Sequence, residues 1–238
     1  MQSTPIDGRA QLVMLHLTDS ALPTGGFSHS FGLETYLQRD LIASPEDFAT
    51  WLRGYIHQSA YNDALVAHLA AQIAKRTFDD SARDQLRFLD RLAHVTLMPR
   101  QIRAANSAMG QRMAKIAPTV LPDAPVVSFY CSEVVAGNMI GCPALTHGLT
   151  LSAAGLDVAS TVRSYLMQMT TSLTTNAIRG IPLGQDAGQR ILSEMHQVIE
   201  DTVSKIGDLD YIDLGTAPPG LEIAQMSHES HRSRMFMS

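Results

Sequence analysis

The centre of the chain holds one long uncharged stretch, VVAGNMIGCPALTHGLTLSAAGL, at residues 134–156. It is long enough on paper to cross a bilayer, which takes about 20 apolar residues in a helix. Glycine, proline, asparagine, histidine and hydroxyl side chains interrupt the stretch too often for a helix exposed to lipid. The stretch therefore predicts a buried loop followed by a core helix, and it does not indicate a membrane protein.

The composition of the whole chain agrees with a large buried core. Of 238 residues, 45% are hydrophobic and only 17% are charged, against about 25% charged in an average globular protein. The net charge of -5 argues against a nucleic-acid binder held by bulk positive charge. The first residues lack the basic and apolar regions of a secretory signal, and Cys131 and Cys142 do not suggest a disulfide framework. We therefore expect a cytoplasmic protein with no nucleic-acid partner.

Apolar residues recur at helical spacing along most of the chain, and no long run alternates as a strand would. The clearest helix start is Ser44-Pro45-Glu46-Asp47, where Ser44 can cap the helix, Pro45 suits its first position and the acids suit its dipole. Further helices are predicted over residues 63–75, 81–93, 99–116 and 158–173, from Pro182, and from Pro218 or Pro219.

Residues 118–141 are ambiguous, because they contain three prolines and the β-rich run 126–130. They are consistent with a loop, a short strand or an insertion, and nothing else resembles an interdomain linker. We predict one all-α, bundle-like domain of about eight to ten helices over residues 1–238. Its N-terminus, residues 1–10, is expected to be flexible, and its C-terminal tail, residues 226–238, is expected to dock a partner.

Residues 19–34, DSALPTGGFSHSFGLE, form the most unusual local sequence. One hypothesis is a small helical serine hydrolase, with Ser28 or Ser30 as the nucleophile, His29 as the base and Glu34 orienting the histidine. The spacing disfavours this hypothesis, because neighbouring residues on a helix point about 100 degrees apart and their side chains do not meet.

A packed helix start explains the same residues better. Gly25 and Gly26 would allow a tight entry into the helix, and Gly32 would allow a close helix contact. The segment also lacks the glycine and lysine spacing of a phosphate-binding loop, so the chain is not itself a P-loop GTPase.

Nine histidines raise the question of a metal site, since imidazole is a common ligand of transition metals. His228 and His231 lie three residues apart and could share a helical face, with Glu229 adjacent. Two ligands in a tail make at best a weak or transient site, and the two cysteines are too far apart for a Cys-x2-Cys knuckle. We therefore expect no tight metal site built by this chain alone.

The basic residues are lopsided, with fifteen Arg against three Lys, and the chain holds twelve Met. Arg and Met are enriched at protein interfaces, which suggests an interaction protein, while codon usage in a GC-rich genome explains the bias equally well. Arg163 and Met167 lie on the helix face away from the predicted core stripe, as a partner surface requires. Residues 91–122 hold five basic and no acidic residues, which predicts a positive patch or an ordinary solvated face.

The final residues, HESHRSRMFMS at 228–238, are cationic and end in apolar side chains. Met235, Phe236 and Met237 would be needlessly exposed in a free tail. The segment therefore predicts docking against a partner or against the body of the fold.

Four segments, taken in order, resemble the UreF family of urease accessory proteins. The first looks like the N-terminal family motif and contains Pro23, Gly25, Gly26, Phe27, His29, Ser30, Phe31, Gly32, Leu33 and Glu34. The second is RAANSAMG at residues 103–110. The third, RGIPLGQ at residues 179–185, contains Arg179, Pro182, Leu183 and Gln185 and is followed by Gly188 and Gln189. The fourth is the tail, with His228, Glu229, Arg234 and Phe236.

The resemblance implies an all-α, non-catalytic protein with no tightly bound cofactor, acting as a scaffold for nickel insertion into apo-urease. Family members form homodimers, bind UreD (also called UreH) and recruit the GTPase UreG, so that nickel is handled by the complex. Carried over by position, the tail residues match the segment that engages UreD, and Arg163 matches an Arg in contact with UreG. Met235 departs from the usual family Leu, a swap that preserves an apolar anchor. Residues 118–141 match no family motif.

Two alternatives from other functional classes stay open on the sequence alone. The first is the serine hydrolase described above. The second is a nickel storage protein, which predicts tight stoichiometric nickel binding by the isolated chain.

Overall fold

The computed structural model describes residues 7–216 and 218–238, and within them it contains helices and turns but no strand. The helices are α1 (Gly8–Thr18), α2 (Leu33–Gln38), α3 (Pro45–Ser59), α4 (Asp63–Ala74), α5 (Asp80–Val95), α6 (Arg100–Val120), α7 (Pro125–Val135), α8 (Pro143–Ala153), α9 (Val158–Gly180), α10 (Gln185–Ile206) and α11 (Pro219–Ser227). Ten of them have nine residues or more, and α2 has six. The predicted all-α fold is confirmed. None of the described helices is long and apolar enough to span a membrane.

The pair formed by α4 and α8 lies at the centre of the fold. Every residue of α8 from Ala144 to Ser152 is buried, and the neighbouring helices α3, α6, α7, α9 and α10 pack around the pair. A Cβ added at Gly148 would lie only 2.3 Å from the carbonyl oxygen of Ala67 in α4. The missing side chain at Gly148 therefore lets the two helices approach closely, and the predicted core helix is confirmed. The loop before it is only partly buried, because residues 135–138 are exposed while Met139, Gly141 and Cys142 are buried.

The start of α3 has the structure that its sequence predicts. The Ser44 hydroxyl accepts a hydrogen bond from the Asp47 amide at 3.1 Å, and the Asp47 carboxylate accepts one from the Ser44 amide at 3.0 Å. Pro45 occupies the first helical position. Such a reciprocal cap satisfies two amides that the helix itself leaves unpaired.

The ambiguous residues 118–141 are mainly helical. α6 continues to Val120, with Pro118 in its last turns, and the β-rich run 126–130 lies inside α7. The strand alternative is wrong because Val126, Val127, Tyr130, Cys131 and Val134 follow helical spacing and are all buried. Burial along one helix face outweighs the local β propensity of these residues.

A buried hydrogen-bond network holds the loop between α7 and α8. The Asp90 carboxylate of α5 accepts hydrogen bonds from the Tyr130 hydroxyl at 2.8 Å and from the amides of Ile140 at 2.7 Å and Gly141 at 3.1 Å. The Tyr130 hydroxyl in turn accepts one from the Cys142 amide at 2.9 Å. The network pairs the polar groups of a loop that would otherwise be buried without partners.

Two predicted boundaries need correction. α10 begins at Gln185 rather than at Pro182, because Gly184 adopts the left-handed φ of +71° just before the helix. At the N-terminus, residues 8–10 form the first turn of α1 and Ala10 is buried, although the sequence analysis placed them in a flexible end. The rest of that predicted flexible segment, residues 1–6, lies outside the described residues.

We expect Gly148→Ala to lower the free energy of unfolding by about 1 to 3 kcal/mol, because overpacking a tight core costs about that much. Urea denaturation followed by circular dichroism measures the change. The matched control is Gly54→Ala in α3, where an added Cβ meets no atom within 4 Å. There we expect a gain of up to about 1 kcal/mol from helix propensity. Equal effects of the two substitutions would contradict the packing argument.

Candidate partner-binding site

Residues 23–34, called here the motif, fold into a turn, a short 3-10 helix at Gly26–Ser28 and the start of α2. Gly25 and Gly32 have φ values of +85° and +100°, which favour glycine. A Cβ at Gly32 would also lie 2.9 Å from the Gln225 Cγ atom in α11. The predicted close helix contact at Gly32 is therefore a contact with α11.

The segment that follows α11, residues 228–238, packs on the motif of the same chain and is called here the tail. Its main anchor is the Glu34 carboxylate, which accepts hydrogen bonds from the amides of Met235 at 2.5 Å and Phe236 at 3.0 Å. The same carboxylate lies 2.9 Å from the His228 Nε2 atom. Both Glu34 and Phe236 are only 4% exposed. The tail thus docks against the body of the fold, one of its two predicted docking modes.

The tail contacts place Glu34 in an environment that favours its charged form. Burial alone would raise the pKa of Glu34, but the hydrogen bonds from Met235, His228 and Phe236 outweigh burial and hold that pKa below its ordinary value. A carboxylate that accepts several N–H donors is stabilised in this way. Glu34 is therefore an ionised acceptor that orders the tail.

The end of the tail is held by the middle of the motif. The Ser238 carbonyl oxygen accepts hydrogen bonds from the Ser30 hydroxyl at 2.8 Å and from the amides of Ser30 and Phe31 at 2.5 and 3.1 Å. The Ser238 hydroxyl lies 2.7 Å from the His29 Nδ1 atom, and the Met237 amide donates to the Ser28 carbonyl at 2.7 Å. The motif therefore holds the end of the tail through main-chain and side-chain hydrogen bonds.

Residues of two long helices, α9 and α6, also contact the motif and the tail. In α9, the Asn176 side chain donates a hydrogen bond to the His29 carbonyl oxygen at 2.8 Å. In α6, Gln101 lies 2.9 Å from the His228 Nδ1 atom, and Arg100 pairs with Glu229 at 2.8 Å. Sequence reasoning missed Asn176 and Gln101, because only the fold brings them next to the motif and the tail.

The serine hydrolase hypothesis is wrong, because its residues do not assemble. The Ser28 hydroxyl donates to the Gly25 carbonyl, and the Ser30 hydroxyl donates to the Ser238 carbonyl. Glu34 contacts His228 and not His29. Each candidate group is occupied in holding the turn or the tail.

The predicted partner residue Arg163 is half-exposed and paired within the chain. Its guanidinium makes two hydrogen bonds to the Glu200 carboxylate of α10, at 2.5 and 2.9 Å. Beside this pair, a groove of about 390 Å³ between α9 and α10 is lined by Arg163, Met167, His196, Gln197, Ile199 and Glu200. Met167, which the sequence predicts to face away from the core, is partly buried against it.

The predicted tail residues have different surroundings. His228 and Phe236 are buried in the chain itself, Glu229 is half-buried, and Arg234 is exposed with a hydrogen bond to the Glu229 carbonyl at 2.6 Å. The apolar side chains that face outward are Met235, Met237 and Phe27, with exposed fractions of 54%, 67% and 65%. The exposed Met235 and Met237 alternate with the buried Phe236 and Ser238.

The third family segment borders the same surface. The Arg179 guanidinium lies 5.1 Å from the centre of the Phe236 ring and donates a hydrogen bond to the Phe27 carbonyl oxygen at 3.4 Å. Leu183 is buried, whereas Pro182 is exposed in the turn before α10 and Gln185 is exposed as the first residue of α10. Arg179 therefore links this segment to both the motif and the tail.

The positive patch predicted for residues 91–122 is smaller than its sequence suggests. Arg100 pairs with Glu229, and Arg103 donates hydrogen bonds to the carbonyl oxygens of Leu97 and Met98, both at 2.6 Å. Arg112 and Lys115 are exposed on α6. Much of the basic character of this segment therefore serves contacts within the chain.

No group of three or more His, Cys, Asp or Glu side chains in residues 7–216 and 218–238 has a geometry that could hold a metal ion. The rings of His228 and His231 lie 5.1 Å apart, but both nitrogens of His228 face partners in the chain, Glu34 and Gln101. Cys131 and Cys142 are free and buried. The nickel storage hypothesis therefore has no candidate ligand set in this part of the chain.

We expect Glu34→Ala to release the tail from the motif. Trypsin should then cleave after Arg232 and Arg234 at least about tenfold faster, because a hydrogen bond to a charged group contributes about 1.5 to 3 kcal/mol. A tryptic time course analysed by mass spectrometry measures the rates. The control is Glu46→Ala, an exposed carboxylate in the first turn of α3. Tail cleavage at the wild-type rate in Glu34→Ala would exclude Glu34 as the anchor.

Acid should loosen the same contact. Burial, and then the nearby charge of His228, lower the pKa values of His29 and His231 below 6.5, so the docked tail favours their neutral forms. Their contribution is complete above pH 6.5 and is lost as pH falls through the lowered pKa values. The contribution of Glu34 is complete above pH 4.5 and is lost through its own lowered pKa.

The methyl resonances of Met235 and Met237 report this release by NMR. We expect them to move toward random-coil positions between about pH 7 and 4, while that of Met98, exposed near the start of α6, stays in place. A tail that stays docked across this range would contradict the assigned role of these groups.

Comparisons with known proteins identify the family of this chain. A model of the UreF family matches residues 42–196. The urease accessory protein UreF of Arthrobacter sp. (strain FB24) is 40% identical over 232 residues, which cover 97% of this chain and 98% of that protein. The protein of the same name from Paenarthrobacter aurescens (strain TC1) is 38% identical, over 96% of this chain and 98% of that protein. The one from Corynebacterium efficiens is 40% identical, over 95% of this chain and 96% of that protein. The chain therefore belongs to the UreF family of urease accessory proteins, and it is a non-catalytic accessory protein.

Proposed function

We propose that this chain is an adaptor for nickel insertion into apo-urease, which bridges UreD (also called UreH) and the GTPase UreG. Nickel is the cargo of the assembled complex, and the chain contributes surfaces rather than a tightly bound cofactor. The observation that carries the proposal is the docking of the tail on the motif. Two segments at opposite ends of the sequence combine there into one exposed surface.

The tail surface consists of Phe27, Met235, Met237, Arg179 and Arg234. Its three apolar side chains are more than half exposed, and its two arginines are also exposed. Exposed aromatic, Met and Arg side chains are the types enriched at protein interfaces. We assign this surface to UreD, and an apolar patch with an acidic rim on that partner would complement it.

The second surface is the groove beside Arg163 and Glu200. The pair fixes the Arg163 guanidinium at the mouth of an open groove whose floor includes Met167 and Ile199. We assign this groove to UreG, because the family resemblance gives Arg163 that contact. Held at this groove, the GTPase would gate nickel release by nucleotide turnover, so that nickel enters urease rather than bulk solvent.

Three further features belong to the proposal. The complex is expected to be cytoplasmic, in keeping with two cysteines that are free and buried. A second copy of the chain would pair with the first, as the resemblance implies. Apo-urease would contact the assembly through UreD.

Co-purification with UreD and UreG tests both assignments in one experiment. We expect Met237→Asp, and a chain ending at Gln225, to weaken UreD binding at least about tenfold, since a charge would be buried or the surface removed. Met98→Asp is the control, because Met98 is a similarly exposed methionine outside the tail surface. Wild-type UreD binding by the chain ending at Gln225 would refute the assignment of the tail surface.

The same assay tests the groove. Arg163→Asp should weaken UreG binding while UreD binding is kept, and Arg190→Asp, an exposed arginine of α10, is the control. The double variant Arg163→Glu with Glu200→Arg restores an ion pair but moves the positive charge, so we expect it to stay defective. Loss of UreD and UreG binding together would indicate misfolding, and recovery in the double variant would show that only the ion pair matters.

A further inference from the structure

A cavity of about 120 Å³ lies beneath the motif, between α3, α4, α6, α8 and α9. Its walls include Phe31 of the motif, Tyr55 of α3, Asp63 of α4, His147 of α8 and Tyr165 of α9. The adaptor role described above uses none of the polar groups in this cavity. It is separate from the tail surface and from the groove beside Arg163.

Two polar groups that line the cavity lack partners in the described residues. No ion pair involves the Asp63 carboxylate, and burial is the only influence on its pKa, with no hydrogen bond to it. The Nδ1 atom of His147 is buried without a hydrogen-bond partner, although its Nε2 atom lies 3.1 Å from the Ser164 hydroxyl. His147 is 1% exposed. Asp63 is only partly buried, whereas His147 is buried, so the unpartnered Nδ1 atom of His147 is the group that points to a ligand in this cavity.

The titratable groups that line the cavity indicate whether the ligand is a cation or an anion. Partial burial raises the pKa of Asp63 to about 6, so these surroundings disfavour a carboxylate that is ionised near neutral pH. Burial also raises the pKa values of Tyr55 and Tyr165, so both phenols stay neutral. Asp63 is therefore the one group in these walls that becomes negative near neutral pH, and a bound cation would offset the cost of burying it.

The other walls favour an organic cation over a metal ion. Phe31, Tyr55 and Tyr165 provide aromatic rings, which attract ammonium and guanidinium groups. A metal would need more ligands of the carboxylate and imidazole type than the described residues bring together. The volume admits only a small molecule, since a cavity of about 150 Å³ is filled by benzene.

We propose that this cavity binds a small organic cation, an alkylammonium or guanidinium ion, whose N–H groups donate hydrogen bonds to the Asp63 carboxylate. A narrower groove shares Phe31, Tyr55 and Asp63 with the cavity and reaches Leu221 and Gln225 of α11. This groove provides the route of entry. Binding is strongest when Asp63 is ionised, so the affinity rises as the pH increases through about 6.

Thermal denaturation and isothermal titration calorimetry test the proposal. The probes are methylammonium chloride and guanidinium chloride, each below about 50 mM, and sodium chloride at equal ionic strength is the reference. Ligands that bind only the native state raise its melting temperature. We expect saturable stabilisation of the full chain by the organic cations and at least about tenfold weaker binding to Asp63→Asn. Because Asp63 makes no hydrogen bond or ion pair and is only partly buried, we expect the variant to fold.

The matched control is Asp80→Asn, which removes the same charge from the first turn of α5, where the carboxylate is exposed. It should bind like the wild type. The wild-type protein should also bind more weakly at about pH 5 than at about pH 7.5, which tests the proposal without any variant. Equal stabilisation by sodium chloride, wild-type binding by Asp63→Asn, or saturable binding of Ni²⁺ alone would overturn it.

Discussion

The close approach of α4 and α8 at Gly148 is the constraint on which the rest of the fold depends. With the Ala67 carbonyl against Gly148, there is no room between the two helices for long or charged side chains. The hydroxyl residues in this layer remain buried because they bond to helix carbonyls, as Thr146 does to Cys142, Thr150 to Thr146, and Ser152 to Ala71 of α4. Residues 134–156 can therefore be uncharged and still contain many polar side chains.

The partner-binding site uses the outer faces of helices that this central pair holds in place. α9 packs on α4 and α8 with one face, and its Asn176 reaches the His29 carbonyl of the motif. α6 contacts α8, and its Gln101 reaches His228 of the tail. The motif and the tail are thus held by α9 and α6, and the Glu34 carboxylate joins the tail to the motif. A surface that is already formed in the free chain lowers the ordering cost of the proposed binding.

The sequence predicted best what depends on local interactions. The cap of α3 needs only Ser44 and Asp47, three residues apart, and it was predicted correctly. Residues 126–130 were ambiguous because their β propensity is local, whereas the burial that makes them helical comes from the fold. The contact between Glu34 and the amides of Met235 and Phe236 joins distant parts of the chain, so no periodicity could indicate it. Within the motif, the position of His29 between Ser28 and Ser30 suggested hydrolase chemistry. The hydrogen-bond partners of these three side chains instead lie in the tail and in the turn.

Composition alone does not decide whether interface enrichment or codon usage explains the surplus of arginine. In the structure, several of these arginines make contacts within the chain. Arg83 stacks on Phe78 and Phe129, Arg179 stacks on Phe236, and Arg103 caps two carbonyl oxygens. A planar guanidinium makes such contacts, whereas a lysine ammonium offers only a point charge. The methionines fall into two groups. Met109, Met113 and Met195 are buried in the core, whereas Met235 and Met237 face outward. The proposed tail surface therefore depends more on its outward methionines than on its arginines.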